Sequence, residues 1–150
     1  MKEDKILIYS SKKNYPEPNN YFIPSDISTA AFFIVLTLLS KNSSLVIKKV
    51  TLNPTRIGII NLLKQMGGNF EFDNVESNSN ELFGDLIVKS SELHNIEIDK
   101  KIIPNIIDEI PILSVAGLFA EGDFSITNAK ELRVKESDRI KSLVYNYKIL

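Results

Sequence analysis

The residues best suited to chemistry crowd into one stretch, Leu132-Arg133-Val134-Lys135-Glu136-Ser137-Asp138-Arg139-Ile140. Six of these nine are charged or hydroxylic, and Arg133, Lys135 and Arg139 bring three cations into seven positions. On a helix, Lys135 and Arg139 are four apart and Glu136 and Arg139 three apart, so each pair shares a face. A cationic face at a helix start suits a phosphate or carboxylate, and Arg presents a planar fork that Lys cannot. Glu136 and Asp138 lie between the cations. The pattern points to an anionic substrate handled beside carboxylates. By residue type alone, a solvated basic helix face accounts for it too.

Asp108 is the second candidate. It opens an apolar stretch (Ile110, Ile112, Leu113), where a carboxylate is costly to bury without partners. Taken alone it reads as a helix cap, and Glu109 beside it reads as structural. Asp26, Asn53 and Arg56 also have plain roles: Asn53 caps a helix, and Arg56 pairs with a nearby carboxylate.

The elements that must position these groups follow from spacing and punctuation. Strands are predicted at 5–9, 21–24, 44–51, 69–72, 85–89, 96–98 and 123–127. Residues 12–20 read as a linker and 73–80 as a polar loop. Ser25 or Asp26 caps a helix to about Leu39 that is apolar nearly all round and so predicted buried. An amphipathic helix follows Asn53-Pro54 and stops at Gly67-Gly68. A second buried helix reaches Phe119, starting near Asp108 because Pro111 belongs in a first turn. A last helix is predicted from Lys135 onward. The order Asp26, buried helix, strand, Arg56 repeats as Asp108, buried helix, strand, Arg139. The chain is predicted to be α/β, built from repeated units.

Composition narrows the classes. A net charge of -1 gives no global pull toward nucleic acid or a membrane surface. With no cysteine and one histidine, disulfides and the usual zinc and iron sites are not expected. His94 reads as a solvated loop residue. The longest apolar run, 30–39, is half of what a bilayer span needs. A soluble, cytoplasmic protein is expected.

Three stretches, in order, resemble the EPSP synthase family, the enolpyruvyl transferases that act on shikimate 3-phosphate. They are Ile23-Pro24-Ser25-Asp26-Ile27-Ser28-Thr29-Ala30-Ala31-Phe32-Phe33, then Leu52-Asn53-Pro54-Thr55-Arg56 with Leu63-Lys64-Gln65-Met66-Gly67-Gly68, then Ile107-Asp108-Glu109-Ile110-Pro111 through to Asp138-Arg139. The resemblance implies repeated βαβαββ-like units with buried inner helices, 1–22 ending one domain or linking to it, and 23–150 forming part of the other. It implies that Asp108 contacts the phosphoshikimate hydroxyls and accepts a proton. Lys135 lies between the two substrates, Arg139 holds phosphoenolpyruvate, and Glu136 is the second catalytic carboxylate. Glu131 stands where the family contacts shikimate 3-phosphate through Asn or Glu. Arg133 and Asp138 orient the segment. No metal or organic cofactor is implied. Ser25 departs from the family's Gly and pays for it if a positive φ is required there. The family's earlier and later substrate contacts have no counterpart, so the isolated chain is expected to have little activity without a complementing half. A non-catalytic association module is the alternative from another class. The sister enzyme acting on UDP-N-acetylglucosamine lacks the Arg-Val-Lys-Glu-Ser-Asp-Arg stretch.

Overall fold

The computed structural model describes Pro18 and residues 20–149. The strand predicted at 5–9 lies outside the described residues. Ser25 pairs in parallel with Val50, donating its N–H to Lys49 and accepting from Thr51. Between the two, α1 (Ile27–Leu39) crosses back to β1 (Ser44–Thr51). Then come α2 (Gly58–Gln65), β2 (Asn69–Asn78) and β3 (Glu81–Lys89). The sheet order is β1-β3-β2 with both pairings antiparallel, which makes one complete βαβαββ unit. A second unit starts alike. His94 bridges Glu121 in parallel, and between them lie α3 (Ile103–Ile106) and α4 (Ile110–Phe119). A 3-10 turn (Lys130–Arg133) and α5 (Arg139–Tyr147) complete the described chain.

Burial explains this order. Leu86 and Val88 of the central strand β3 point inward and meet Ile27, Ile34 and Leu38 of α1 and Ile59, Ile60 and Leu63 of α2, all buried. β2 is exposed along nearly its whole length, so the sheet covers the helices on one side and faces solvent on the other. The starts of α1 and α4 are joined by the Ser28 hydroxyl, which donates to Glu109. Their ends share the walls of one groove through Leu38, Leu39 and Phe119. The two inner helices therefore run side by side in the same direction.

Several expectations change. Helix α1 is buried on one side only: Phe32, Phe33 and Leu36 are exposed, as are Leu118 and Phe119 of α4, because no described residue packs on that flank. The 73–80 loop is mostly strand. β2 runs on to Asn78 through a bulge at Asn74, and the turn is Ser79-Asn80, both at positive φ, as two-residue hairpins favour. Asp85 ties the bulges on both sides of β3, accepting from the Lys49 N–H and the Asn74 amide. Residues 21–24 and 96–98 form no strand. Residues 123–127 alternate half-buried Phe124 and Ile126 with exposed neighbours, but find no pairing partner among the described residues. A strand needs a partner's hydrogen bonds as well as a pattern. Ser25 has no positive φ, so the backbone cost anticipated there does not arise.

Gly58 sets how closely α2 approaches α3. A Cβ there would lie 2.8 Å from the Asn105 carbonyl oxygen and 2.9 Å from Ile106 Cγ2. Gly58→Ala is expected to cost about 1–3 kcal/mol by forcing α3 away. Urea unfolding that shows no loss would contradict this packing.

Candidate active site

Between α3 and α4 the chain bends by 117° over Ile107, Asp108 and Glu109. Burial alternates through the bend: Ile107 and Glu109 face the interior, while Asp108 stands 49% exposed between them. A side chain at such a corner is aimed by the backbone on both sides of it.

Two cations meet at Asp108. Arg139 Nη1 lies 3.3 Å and Lys135 Nζ 3.6 Å from the same oxygen, Oδ1. Lys135 also pairs with Glu131 at 2.7 Å, and Arg139 Nη2 with Glu136 at 2.8 Å. All five residues singled out from the sequence therefore form one connected cluster. Lys135 and Arg139 are the more enclosed members, with 23% and 29% of their side chains exposed, while Glu136 is 81% exposed. Glu131 and Glu136 are the more exposed partners of the two cations.

The route to this cluster differs from the predicted one. Helix α5 starts at Arg139, not at Lys135. Asp138 is its cap, accepting the Lys141 N–H at 2.9 Å, so the chain before it cannot be helical. Lys135 and Glu136 lie in the connecting loop and Glu131 in the 3-10 turn. Lys135 and Arg139 converge through Asp108, not along a helix face. The Ser-Asp preceding Arg139 was a capping signal present in the sequence. Arg133 braces the cap from 3.1 Å.

Local interactions set the charges. The hydrogen bond from Lys135 to Glu131 raises the lysine's pKa; burial opposes this and Asp108 reinforces it. Glu136 is held below the usual range first by its own backbone N–H and then by Arg139. Asp138 is lowered first by the Lys141 N–H, against burial, and then by Arg133.

The first unit repeats the arrangement. Arg56 Nη2 lies 3.1 Å from Asp26 Oδ1, a counterpart of the 3.3 Å contact between Arg139 Nη1 and Asp108. Asp26 also caps α1, accepting the Thr29 N–H at 2.9 Å. Burial raises its pKa, but Thr29, the Ser28 N–H and Arg56 together outweigh that and lower it. Asn53 accepts from the Thr55 N–H and hydroxyl, capping the turn before α2 and not α2 itself, which begins at Gly58. A small cleft of about 50 Å³ lies between Arg56 and Asp108. Glu109, read as structural, is buried here against Ser28. A larger concavity, about 650 Å³, lies at the far ends of α1 and α4. It holds the exposed His94, paired with Glu121 at 3.4 Å, and none of the five clustered residues.

The family model for EPSP synthase (3-phosphoshikimate 1-carboxyvinyltransferase) matches residues 1–150. This chain belongs to the EPSP synthase family. It is 57% identical over 122 residues to a 3-phosphoshikimate 1-carboxyvinyltransferase of Caldicellulosiruptor bescii, covering 81% of this chain and 28% of that protein. It is 48% identical over 149 residues to that of Petrotoga mobilis, covering 99% of this chain and 34% of the relative. An EPSP synthase structure from Acinetobacter baumannii superposes with a TM-score of 0.81 at 42% identity, covering 85% of this chain and 29% of that one. The repeated unit and inner helices expected of the family are present. The chain spans about a third of the length of the curated relatives it matches. Among the described residues, no single helix is long and apolar enough to cross a membrane.

Asp26 and Asp138 have lowered pKa values in the fold, so the stability they add is full above their ordinary value of 3.8 and is lost as pH falls through the folded values. Thermal melting from about pH 6 down to pH 2.5 is expected to fall mainly below pH 4. The fall is expected to be shallower in Asp138→Asn; identical profiles for the two proteins would contradict the cap.

Proposed function

We propose that this chain carries the proton-transfer and phosphoenolpyruvate-holding part of an enolpyruvyl transferase site. The reaction joins the enolpyruvyl group of phosphoenolpyruvate to shikimate 3-phosphate, giving 5-enolpyruvylshikimate 3-phosphate and phosphate. The observation that carries the proposal is the cluster of Asp108, Glu131, Lys135, Glu136 and Arg139 in a chain of this family.

In this reading Asp108 accepts the proton of the attacking shikimate hydroxyl as its oxygen bonds to the enol carbon. Glu136 delivers a proton to the methylene carbon, and a tetrahedral adduct forms. The methyl group then returns a proton, the double bond re-forms, and the C–O bond to phosphate breaks. Arg139 holds phosphoenolpyruvate in a forked grip. Lys135 lies between the substrates and offsets their negative charge, and Glu131 contacts shikimate 3-phosphate. A cytoplasmic setting fits the absence of cysteine. Turnover requires further contacts from a complementing segment, a reading supported by the third of the relatives' length that the chain spans.

The exposed apolar flank of Phe32, Phe33, Leu36, Leu118 and Phe119 favours a second reading, a non-catalytic association module. Phosphate release from both substrates separates the two readings, with the chain alone and with a polypeptide supplying the remaining two thirds. Activity is expected only in the complemented sample. There Arg139→Ala and Asp108→Asn are each expected to lose about a hundredfold or more. Release by the chain alone would overturn the need for a partner. No release from folded, complemented protein would favour the association reading.

A further inference from the structure

We propose that Glu109 and Ser28 are positioning residues for Asp108, acting through the 117° bend. Calling Asp108 catalytic rests on the function proposed above; the positioning itself does not. Three observations lead here. Glu109 is a carboxylate only 5% exposed, and it neighbours Asp108 in the chain. Its hydrogen-bonding partner, the Ser28 hydroxyl, stands in the first turn of α1, the helix of the other unit. Ser28 in turn accepts from Arg56 Nη2 at 3.3 Å, and the same nitrogen pairs with Asp26, the cap of α1. A line of contacts therefore runs from the Asp–Arg pair of the first unit, through Ser28 and Glu109, to the Asp–Arg pair of the second.

A bend carries a side chain accurately only if both flanks are held. Ile107 is buried in the core on one side of Asp108, a contact of little direction. On the other side the Glu109 N–H donates to the Ile106 carbonyl at 3.0 Å, and the Glu109 carbonyl accepts from the Leu113 N–H at 2.9 Å. The Glu109 side chain adds a directional tie to α1. A buried carboxylate is an inefficient stabiliser, since an apolar side chain of similar volume fills such a place with equal or greater stability. What it adds is geometric: one hydrogen bond at one angle, which fixes α4 against α1 where Asp108 must face Arg139 and Lys135.

The test reads the Asp108–Arg139 pair by NMR exchange of the guanidinium protons in the 150-residue chain, without substrate. In Glu109→Ala and in Ser28→Ala, protons on Arg139 Nη1, which faces Asp108, are expected to exchange at least about threefold faster. Those on Nη2, held by Glu136, are expected to be unchanged and serve as an internal reference. Glu109→Gln keeps an acceptor for the Ser28 hydroxyl and is expected to restore the wild-type rate. Unchanged Nη1 exchange in folded Glu109→Ala and Ser28→Ala would overturn the proposal. So would acceleration that Glu109→Gln fails to reverse. If Glu109→Ala does not fold, Ser28→Ala decides alone, because it removes a single hydroxyl. Loss of the exchange effect refutes the positioning role; absence of turnover in the complemented assay refutes the enzymatic reading.

Discussion

A carboxylate at a sharp corner between two helices can face two cations only if the corner is rigid. At Asp108 the backbone turns by 117°, with a buried residue on each side. Core packing of Ile107, the close approach of α2 at Gly58 and the contact of Glu109 with α1 all act on that corner. The loop from Glu131 to Asp138 then has to bring its charges only to a point already fixed. Its cap at Asp138 and the Arg133 brace set where α5 begins and so where Arg139 is held. The ion pairs themselves are partly exposed and add little to stability. Their value lies in placement.

The two units show one device used twice. Each has an aspartate at the start of an inner helix and an arginine at or near the start of a later one, and in each the two side chains meet. In the first unit the aspartate is also a helix cap, with its oxygens occupied by Thr29 and Arg56. In the second the aspartate precedes the helix by two positions, and the start of α4 has no side-chain cap. That release frees Asp108 for Lys135 as well as Arg139, so a structural pair in one unit becomes a cluster with chemical potential in the other.

Much of this was legible in the sequence, for identifiable reasons. β1 was placed to the residue because alternation, β-branched side chains and flanking turns agreed. The repeat was visible because an aspartate, a buried helix, a strand and an arginine follow in the same order twice, and the two pairs do meet. The five clustered residues were found because their charges are dense and matched a family pattern. What escaped notice depended on tertiary partners. The extension of β2 needed β3 opposite it, and 123–127 had the pattern of a strand without a partner. The late start of α5 was encoded by Ser137-Asp138, but the charge spacing from Lys135 to Arg139 suggested a longer helix. The exposed flank of α1 was hidden because an all-apolar helix cannot show which side will be covered. Glu109 was read as structural, but its partner, Ser28, lies 81 residues away and could not be named from the sequence.

In the proposed function, Lys135 and Arg139, gathered at Asp108, form an anion site that is held in place before the ligand arrives. Equilibrium titration of the folded chain with phosphoenolpyruvate in the presence of shikimate 3-phosphate tests it most directly, comparing wild type with Arg139→Lys and Arg139→Ala. Saturable binding is expected, weakened by about tenfold or more in both variants, the lysine failing because a point charge cannot replace the fork. Binding equal in all three proteins would contradict it, as would full recovery in Arg139→Lys.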